Sequence, residues 1–478
     1  MKILLTGGTG MVGSELGLEL VKNGHTLRLL TRDPARHHGK LPFPAELVEW
    51  DALQGPPRPE AFKGIDAVIH LAGEGIASGR WNAARKKAIF DSRITGTGNL
   101  VAGIRAAIQG GEKISVLLAA SAVGIYGDRG NEELTEASAV DSKSESKGAV
   151  GFLSSICRQW EQAARDGLPT SVRSVQLRIG VVLGLDGGAL GEMLPLFRKG
   201  VGGRLSSGKQ WMSWIHIEDL ARLFQFALTR SELSGPVNAT GPVPVTNSEF
   251  TQSLSQAVGK PAIFPAPASA LKVAVGAMAQ AVLSSQKVLP SHALNAGFEF
   301  KYPTLNAALA NLIPEEKDNR IRVRQWIDAS LDQVFAFFSD ARNLERITPS
   351  FLNFQITQMS TPEVGQGTLI DYRLKVRGVP VRWRTLIEEW KPQSEFVDTQ
   401  LKGPYRKWHH THRFWPLADG VLIEDDVLYR VPMGWLGQLV AGGLVSRDVK
   451  KIFDYRREVI AGIFSDSTKS RESLGGRR

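Results

Sequence analysis

The apolar positions of this chain change their period along its length, and those changes outline its architecture. Met1 to Leu5 is a short apolar run of strand length. Ser14 to Val21 then carries apolar residues at helical spacing and stops at Gly24. Apolar runs recur at Thr26–Arg32, at a third strand closed by Trp50-Asp51-Ala52, at Ala67–Gly73 and at Val172–Gly184, with helical patterns between them. The run at Ala67 is continuous rather than alternating, which suits a strand covered on both faces. Residues 1 to about 183 therefore predict a doubly wound α/β domain with a parallel sheet. The stretch from Ala268 to Ser285 is only weakly polar but contains Lys272, and it predicts one amphipathic or buried helix rather than a membrane span.

Beyond a charged, proline-bearing linker at 312–319 the pattern changes. Arg320–Ile327 reads as a strand, Ser330–Phe338 has helical spacing, and Phe351–Val431 is a series of short alternating segments. That alternation predicts an antiparallel sheet, closed by a long amphipathic helix over Leu436–Ile463. Residues 465–478 are short and polar and read as a disordered tail.

Composition narrows the function classes. A chain of 478 residues with 42% hydrophobic and 22% charged content is an ordinary globular protein of two or three domains. Cys157 is the only cysteine, which excludes a disulfide framework and a cysteine metal cluster and fits a reducing, cytoplasmic setting. The first apolar run is too short for a signal peptide. The net charge of +10 is scattered rather than gathered in a basic stripe, so it points to anionic small molecules and not to nucleic acid.

The chemistry begins between the first strand and helix, at Thr6-Gly7-Gly8-Thr9-Gly10-Met11-Val12-Gly13. A glycine-rich turn in that context makes a pyrophosphate cradle. Gly7 permits the tight turn, Gly10 lets the phosphates approach, and Gly13 allows close helix packing. The G-x-x-G-x-x-G spacing resembles the extended branch of the short-chain dehydrogenase/reductase superfamily, as does His70-Leu-Ala-Gly73. Ser121–Gly127, Gln210–Asp219, Asn238–Pro242 and Ala296–Pro303 together resemble its "epimerase family protein" group, over residues 1 to about 311.

The resemblance implies a substrate lobe at about 186–214 and 241–311. It also implies cofactor contacts from Thr6, Gly7, Thr9, Gly10, Met11, Val12 and Gly13, from Asp51 at the adenine, and from Leu71, Ala72 and Gly73. Arg32 ends the second strand, where an arginine accepts the 2′-phosphate of NADP and a carboxylate would select NAD. Asp33 follows it, so NADP is expected and NAD stays possible. Residues 320–464 resemble the helix-grip fold of START-like and polyketide-cyclase domains, which implies a cavity for an apolar ligand.

Catalysis is less regular. The extended branch uses a Ser or Thr hydroxyl, a Tyr and a Lys four residues after that Tyr. Here the Tyr and Lys positions hold Leu153 and Cys157, and Ala122 stands four residues before Tyr126. Ser121, by a one-residue shift, and Tyr126 remain the catalytic candidates. Cys157 lies among apolar residues and reads as a buried, inert thiol. His216 reads as structural, with Glu218 and Asp219 capping the next helix. No metal is expected at His37-His38 or at His409-His410-x-His412, because adjacent strand residues face opposite sides and no carboxylates complete either set. These features describe an NADP-dependent oxidoreductase acting on a small carbonyl or hydroxyl substrate by non-standard proton transfer. A non-catalytic NADP-binding sensor or carrier and a nucleotide-sugar epimerase are the alternatives.

Overall fold

A computed structural model describes residues 1–77, 79–140, 148–185, 187–313, 318–431 and 442–475. It divides into two units, Met1–Pro34 with Ala45–Glu315 and Ala35–Pro44 with Glu316–Arg478. The first is built on strands β1 (Lys2–Thr6), β2 (Thr26–Thr31), β3 (Glu46–Glu49), β4 (Ala67–His70), β5 (Val116–Ala122), β6 (Arg173–Ile179) and β7 (Gly235–Ala239). They form one sheet in the order β7-β6-β5-β4-β1-β2-β3, every pairing parallel. The order reverses between β1 and β4, so a crevice opens at the carboxyl ends of these two strands, where an α/β sheet takes its ligands.

Helix α1 (Met11–Lys22), α2 (Ala83–Gln109), α3 (Gly148–Ala163) and α4 (Ile217–Thr229) connect or flank these strands. On one face Leu4, Val68 and Leu117 pack with Leu100 and Ile104 of α2. The lobe after β6 has its own core, in which Trp214 and Phe250 meet Leu305 and Leu309. Ala268–Ser285 is not one helix. It forms two short ones, Ala268–Val275 and Met278–Val282, because Gly276 turns the chain with φ +64°. The cap at the start of α4 is also not carboxylate: the His216 ring accepts from the Glu218 amide at 3.1 Å. Asp219 instead accepts the Lys301 and Tyr302 amides at 2.8 and 2.9 Å, which ties the lobe to α4.

The second unit is an antiparallel sheet of β8 (Asn319–Ile327), β9 (Gln355–Met359), β10 (Leu369–Val376), β11 (Val379–Lys391), β12 (Glu395–Lys402), β13 (Lys407–Leu417) and β14 (Gly420–Arg430). Its order is β8-β14-β13-β12-β11-β10-β9. Helix α5 (Leu331–Ser339) opens on a Ser330/Gln333 capping box, and α6 (Gly442–Gly475) closes the unit. Phe335 of α5 and Ile460 of α6 meet Phe396 and Phe414 of the sheet in one core. The start expected for the closing helix, Leu436, lies outside the described residues. Its end differs from expectation: α6 runs to Gly475, through most of the segment read as a disordered tail. Ser465–Leu474 is polar but contains neither proline nor glycine, so nothing in it stops a helix. Ala35–Pro44 belongs to this unit as well, where the Trp326 amide donates to the Leu41 carbonyl at 2.7 Å.

Candidate functional site

The Thr6–Gly13 turn has the geometry that its glycines predict. Gly7 has φ +73°, and a Cβ there would stand 2.8 Å from the backbone at the Leu71–Ala72 junction. A Cβ on Gly13 would lie 2.2 Å from the Gly7 carbonyl oxygen, so α1 can pack on the turn only without one. Gly10 is different: its Cβ would meet nothing nearer than 3.5 Å. That is an ordinary contact, so the turn itself does not demand glycine at this position. Gly10 also supplies no side-chain cap to α1, and no acidic residue occupies the first turn. The first amides of the helix, from Met11 onward, are left by helix geometry without intrahelical acceptors, and the helix dipole adds positive potential there. The turn suits a pyrophosphate.

Thr6 takes a different role from the glycines. It is fully buried, and its hydroxyl lies 2.7 Å from His70 Nδ1 while accepting the Ala72 amide at 3.2 Å. His70 Nε2 reaches Thr97 Oγ1 at 2.9 Å, and the Trp160 indole donates to the same hydroxyl at 3.0 Å. Burial, aided by the Arg93 charge, lowers the His70 pKa to about 4, so the ring is neutral at pH 7. This chain of side chains holds the Leu71–Gly73 backbone against the turn. Arg93 stands beside that backbone: its guanidinium carbon is 3.4 Å from where a Gly73 Cβ would be, and it donates to the Glu74 carbonyl at 2.9 Å. Arg32 is exposed just beyond the end of β2. Asp51 accepts the Leu53 amide at 3.0 Å, beyond β3. The Met11 sulfur lies 3.1 Å from where a Gly184 Cβ would stand.

The two catalytic candidates are elsewhere engaged. Ser121 is buried and donates to Glu161 at 2.8 Å. Glu161 is gripped at both oxygens by Arg178, at 2.8 and 3.0 Å. Arg178 donates in turn to the Tyr126 hydroxyl at 2.9 Å, and that hydroxyl donates to Asn238 at 2.8 Å. Tyr126 has no exposed surface, and burial raises its pKa against the pull of Arg178. The hydroxyls thus serve a buried ion-pair network. Cys157 is also buried, its thiol pushed up to about 12 by desolvation.

In the second unit a cavity of about 420 Å³ lies between the sheet and the helices, lined by rings such as Phe338, Tyr372, Trp383 and Trp408. Its polar wall departs from the sequence reading. His410 and His412 stand two residues apart on β13 and so share a face, while His409 faces away. Asp398 is the register partner of His410 on β12, and Asp425 is that of His412 on β14. Carboxylates do flank these histidines; cross-strand pairing hid them from a search for local spacing.

Comparison with known proteins agrees with this geometry. A model of the NAD dependent epimerase/dehydratase family matches residues 3–239, and a domain of unknown function (DUF1731) matches 266–312. The epimerase family protein Mb2239 of Mycobacterium bovis is 40% identical over 309 residues, which cover 64% of this chain and 96% of that protein. The chain belongs to the epimerase family. Human epimerase family protein SDR39U1 is 37% identical over 317 residues, 66% of this chain and 100% of that protein. Its crystal structure with NADPH superposes with a TM-score of 0.57 at 35% identity, covering 66% of this chain and 99% of that one. A nucleoside-diphosphate sugar epimerase from Corynebacterium glutamicum gives 0.52 at 31% identity, covering 66% of this chain and 59% of that one. Residues 327–453 match a model described as polyketide cyclase / dehydrase and lipid transport. No helix among the described residues is long and apolar enough to cross a membrane.

Beside the Leu71–Gly73 backbone, Arg93 is a residue that the sequence did not announce. It sits mid-helix on α2 and belongs to no motif. Only the approach of α2 to the end of β4 brings it beside Gly73.

Proposed function

We propose that the first unit binds NADPH across the Thr6–Gly13 turn and reduces, or in reverse oxidises, a small carbonyl or hydroxyl substrate. The observation that carries this reading is a turn in which Gly7 and Gly13 are required by collisions within the protein and Gly10 is not. The NADPH bound by the human relative supports the choice of cofactor. When bound, NADPH supplies a hydride. The amides at the start of α1 hold the pyrophosphate, Arg32 pairs with the 2′-phosphate, and Asp51 and the Leu71–Gly73 backbone position the two ends. Arg93 is the fixed cation that faces negative charge developing on the substrate oxygen. Water provides the proton, because the Tyr126 hydroxyl is already committed. The second unit holds an apolar ligand in its cavity, and the lone buried cysteine suits a reducing, cytoplasmic setting.

A second reading, a cofactor-binding sensor or carrier without turnover, is favoured by the locked state of Ser121 and Tyr126. Epimerisation is disfavoured by Leu153 and Cys157 at the Tyr and Lys positions. Two measurements test the proposal. Gly10→Val should abolish NADPH binding in calorimetry with an unchanged far-UV spectrum, and Arg32→Ala should weaken NADPH by roughly ten- to more than a hundredfold, with little effect on NADH. Unchanged binding in the Gly10 variant would overturn the site. Tight NADPH binding with no hydride transfer across a broad carbonyl panel would favour the sensor.

A further inference from the structure

The polar wall of the second unit's cavity draws two imidazoles and two carboxylates into one cluster. Each nitrogen of His410 and His412 faces a carboxylate oxygen. His410 Nδ1 is 3.3 Å and His412 Nε2 is 3.0 Å from the same oxygen of Asp398. On the other side His410 Nε2 is 3.1 Å and His412 Nδ1 is 2.8 Å from one oxygen of Asp425. Two neutral imidazoles carry two N–H protons between them, yet there are four such contacts. Protonating both rings would set two imidazolium ions with centroids only 3.8 Å apart, and they repel strongly. Protonating one ring supplies a third N–H and still leaves the His410 Nδ1 contact to Asp398 without a proton. Asp398, His410 and His412 each offer a ligand atom, and these atoms lie within 4.8 Å of one another, so a cation can engage all three at once.

The surroundings decide on which side it sits. An Arg456 nitrogen lies 3.4 Å from the Asp425 oxygen and 3.5 Å from His412 Nδ1, so the Asp425 side already has its positive charge. With a cation on the other side, both rings would turn an N–H toward Asp425, from His410 Nε2 at 3.1 Å and His412 Nδ1 at 2.8 Å. The opposite nitrogens, His410 Nδ1 and His412 Nε2, then converge with Asp398 Oδ2. Ligand atoms at about 2.0 Å from a tetrahedral zinc stand about 3.3 Å apart, close to the separations found here. The three side chains border the cavity, so the remaining coordination positions have room for a ligand atom.

We propose that Asp398, His410 and His412 bind a divalent transition cation of the zinc or iron(II) class, with Asp425 and Arg456 as the outer shell that orients the rings. The cation presents a Lewis-acidic position to a cavity that is otherwise mostly apolar. It gives an apolar ligand with one polar oxygen a fixed point of attachment. This site is independent of the NADPH reading, because its ligands all lie in the second unit.

The test uses the full chain, stripped with a chelator and titrated with Zn²⁺ and with Co²⁺. One equivalent of each should bind, with a Co²⁺ visible spectrum of a four- or five-coordinate nitrogen–oxygen site. Asp398→Asn and His412→Gln should lose that binding while keeping their far-UV spectra and NADPH affinity. Asp425→Asn should weaken it by only about 10- to 100-fold, the usual effect of an outer-shell partner. His409→Gln, on the opposite face of the strand, should bind normally. Absence of stoichiometric binding by the parent chain would overturn the proposal and leave the cluster a hydrogen-bonding wall. Undiminished binding by Asp398→Asn and His412→Gln together would also overturn it, by locating the metal elsewhere.

Discussion

Two buried polar clusters in this protein solve the problem of charge in an apolar setting in opposite ways. In the first unit, Glu161 and Arg178 pair at both carboxylate oxygens, and Ser121, Tyr126 and Asn238 extend the network through directed hydrogen bonds. One acid faces one base, and the set is neutral. In the second unit two carboxylates, Asp398 and Asp425, share two imidazoles and the single guanidinium of Arg456 at the edge of a cavity. With neutral rings that set carries a net negative charge. Burial alone would raise the Asp425 carboxyl, but Arg456 and the imidazoles hold it well below the usual carboxylate range. The first network is closed within the protein, whereas the second borders a cavity.

The largest effect that would break this contrast is loss of a charge from each cluster. Glu161→Gln leaves the Arg178 guanidinium buried without a counter-charge and should destabilise the first unit by about 3–5 kcal/mol. Asp398→Asn leaves Asp425 balanced by Arg456, so in chelator-treated protein it should change stability by less than about 1 kcal/mol. Urea denaturation followed in each unit measures both. Equal costs would mean that the second cluster is also a closed structural network.

The same contrast explains what could be read from the sequence. The parallel sheet, its glycine turn and the antiparallel second domain were legible because local periodicity and turn chemistry specify them. Gly7 takes the positive φ of a tight turn, and Gly13 stands where a Cβ would strike the Gly7 carbonyl. Arg93 and the Asp398–His410–His412 set were not legible. The former depends on how α2 meets β4, and the latter on the register of three strands. Ser121 and Tyr126 make a related point: a motif reports where a hydroxyl stands along the chain, not whether Glu161 and Arg178 engage it.

A smaller effect concerns the neutral buried ring of the first unit, His70. Its pKa falls from 6.5 to about 4 in the folded state. Above pH 6.5 neither folded nor unfolded chain protonates it, and its contribution is constant. Between pH 6.5 and 4 the unfolded chain binds a proton that the folded chain refuses, so stability falls by as much as about 3 kcal/mol across that window. His70→Gln should lower stability at pH 7 through its lost hydrogen bonds to Thr6 and Thr97 but flatten this acid limb. Chemical denaturation at half-unit intervals from pH 7 to 4 distinguishes the two slopes. An unchanged slope in the variant would assign the limb to other groups.

The smallest expected effect is the sharpest test of the closed network. Tyr126→Phe removes one hydroxyl that accepts from Arg178 and donates to Asn238, with the Thr135 carbonyl also in reach at 3.0 Å. The ring keeps its packing against Ile125, Leu134 and Val288, so the cost is confined to the polar atoms left unpaired, about 1–3 kcal/mol. If the phenol serves only this network, thermal stability should drop accordingly while NADPH affinity and any hydride-transfer rate remain within about twofold, since no bond to a reacting group is lost. A fall in turnover of about a hundredfold or more at unchanged KM, in a variant that remains folded, would instead return Tyr126 to proton transfer. The network would then have to open during the reaction, and the difference between the two clusters would be one of timing rather than of design.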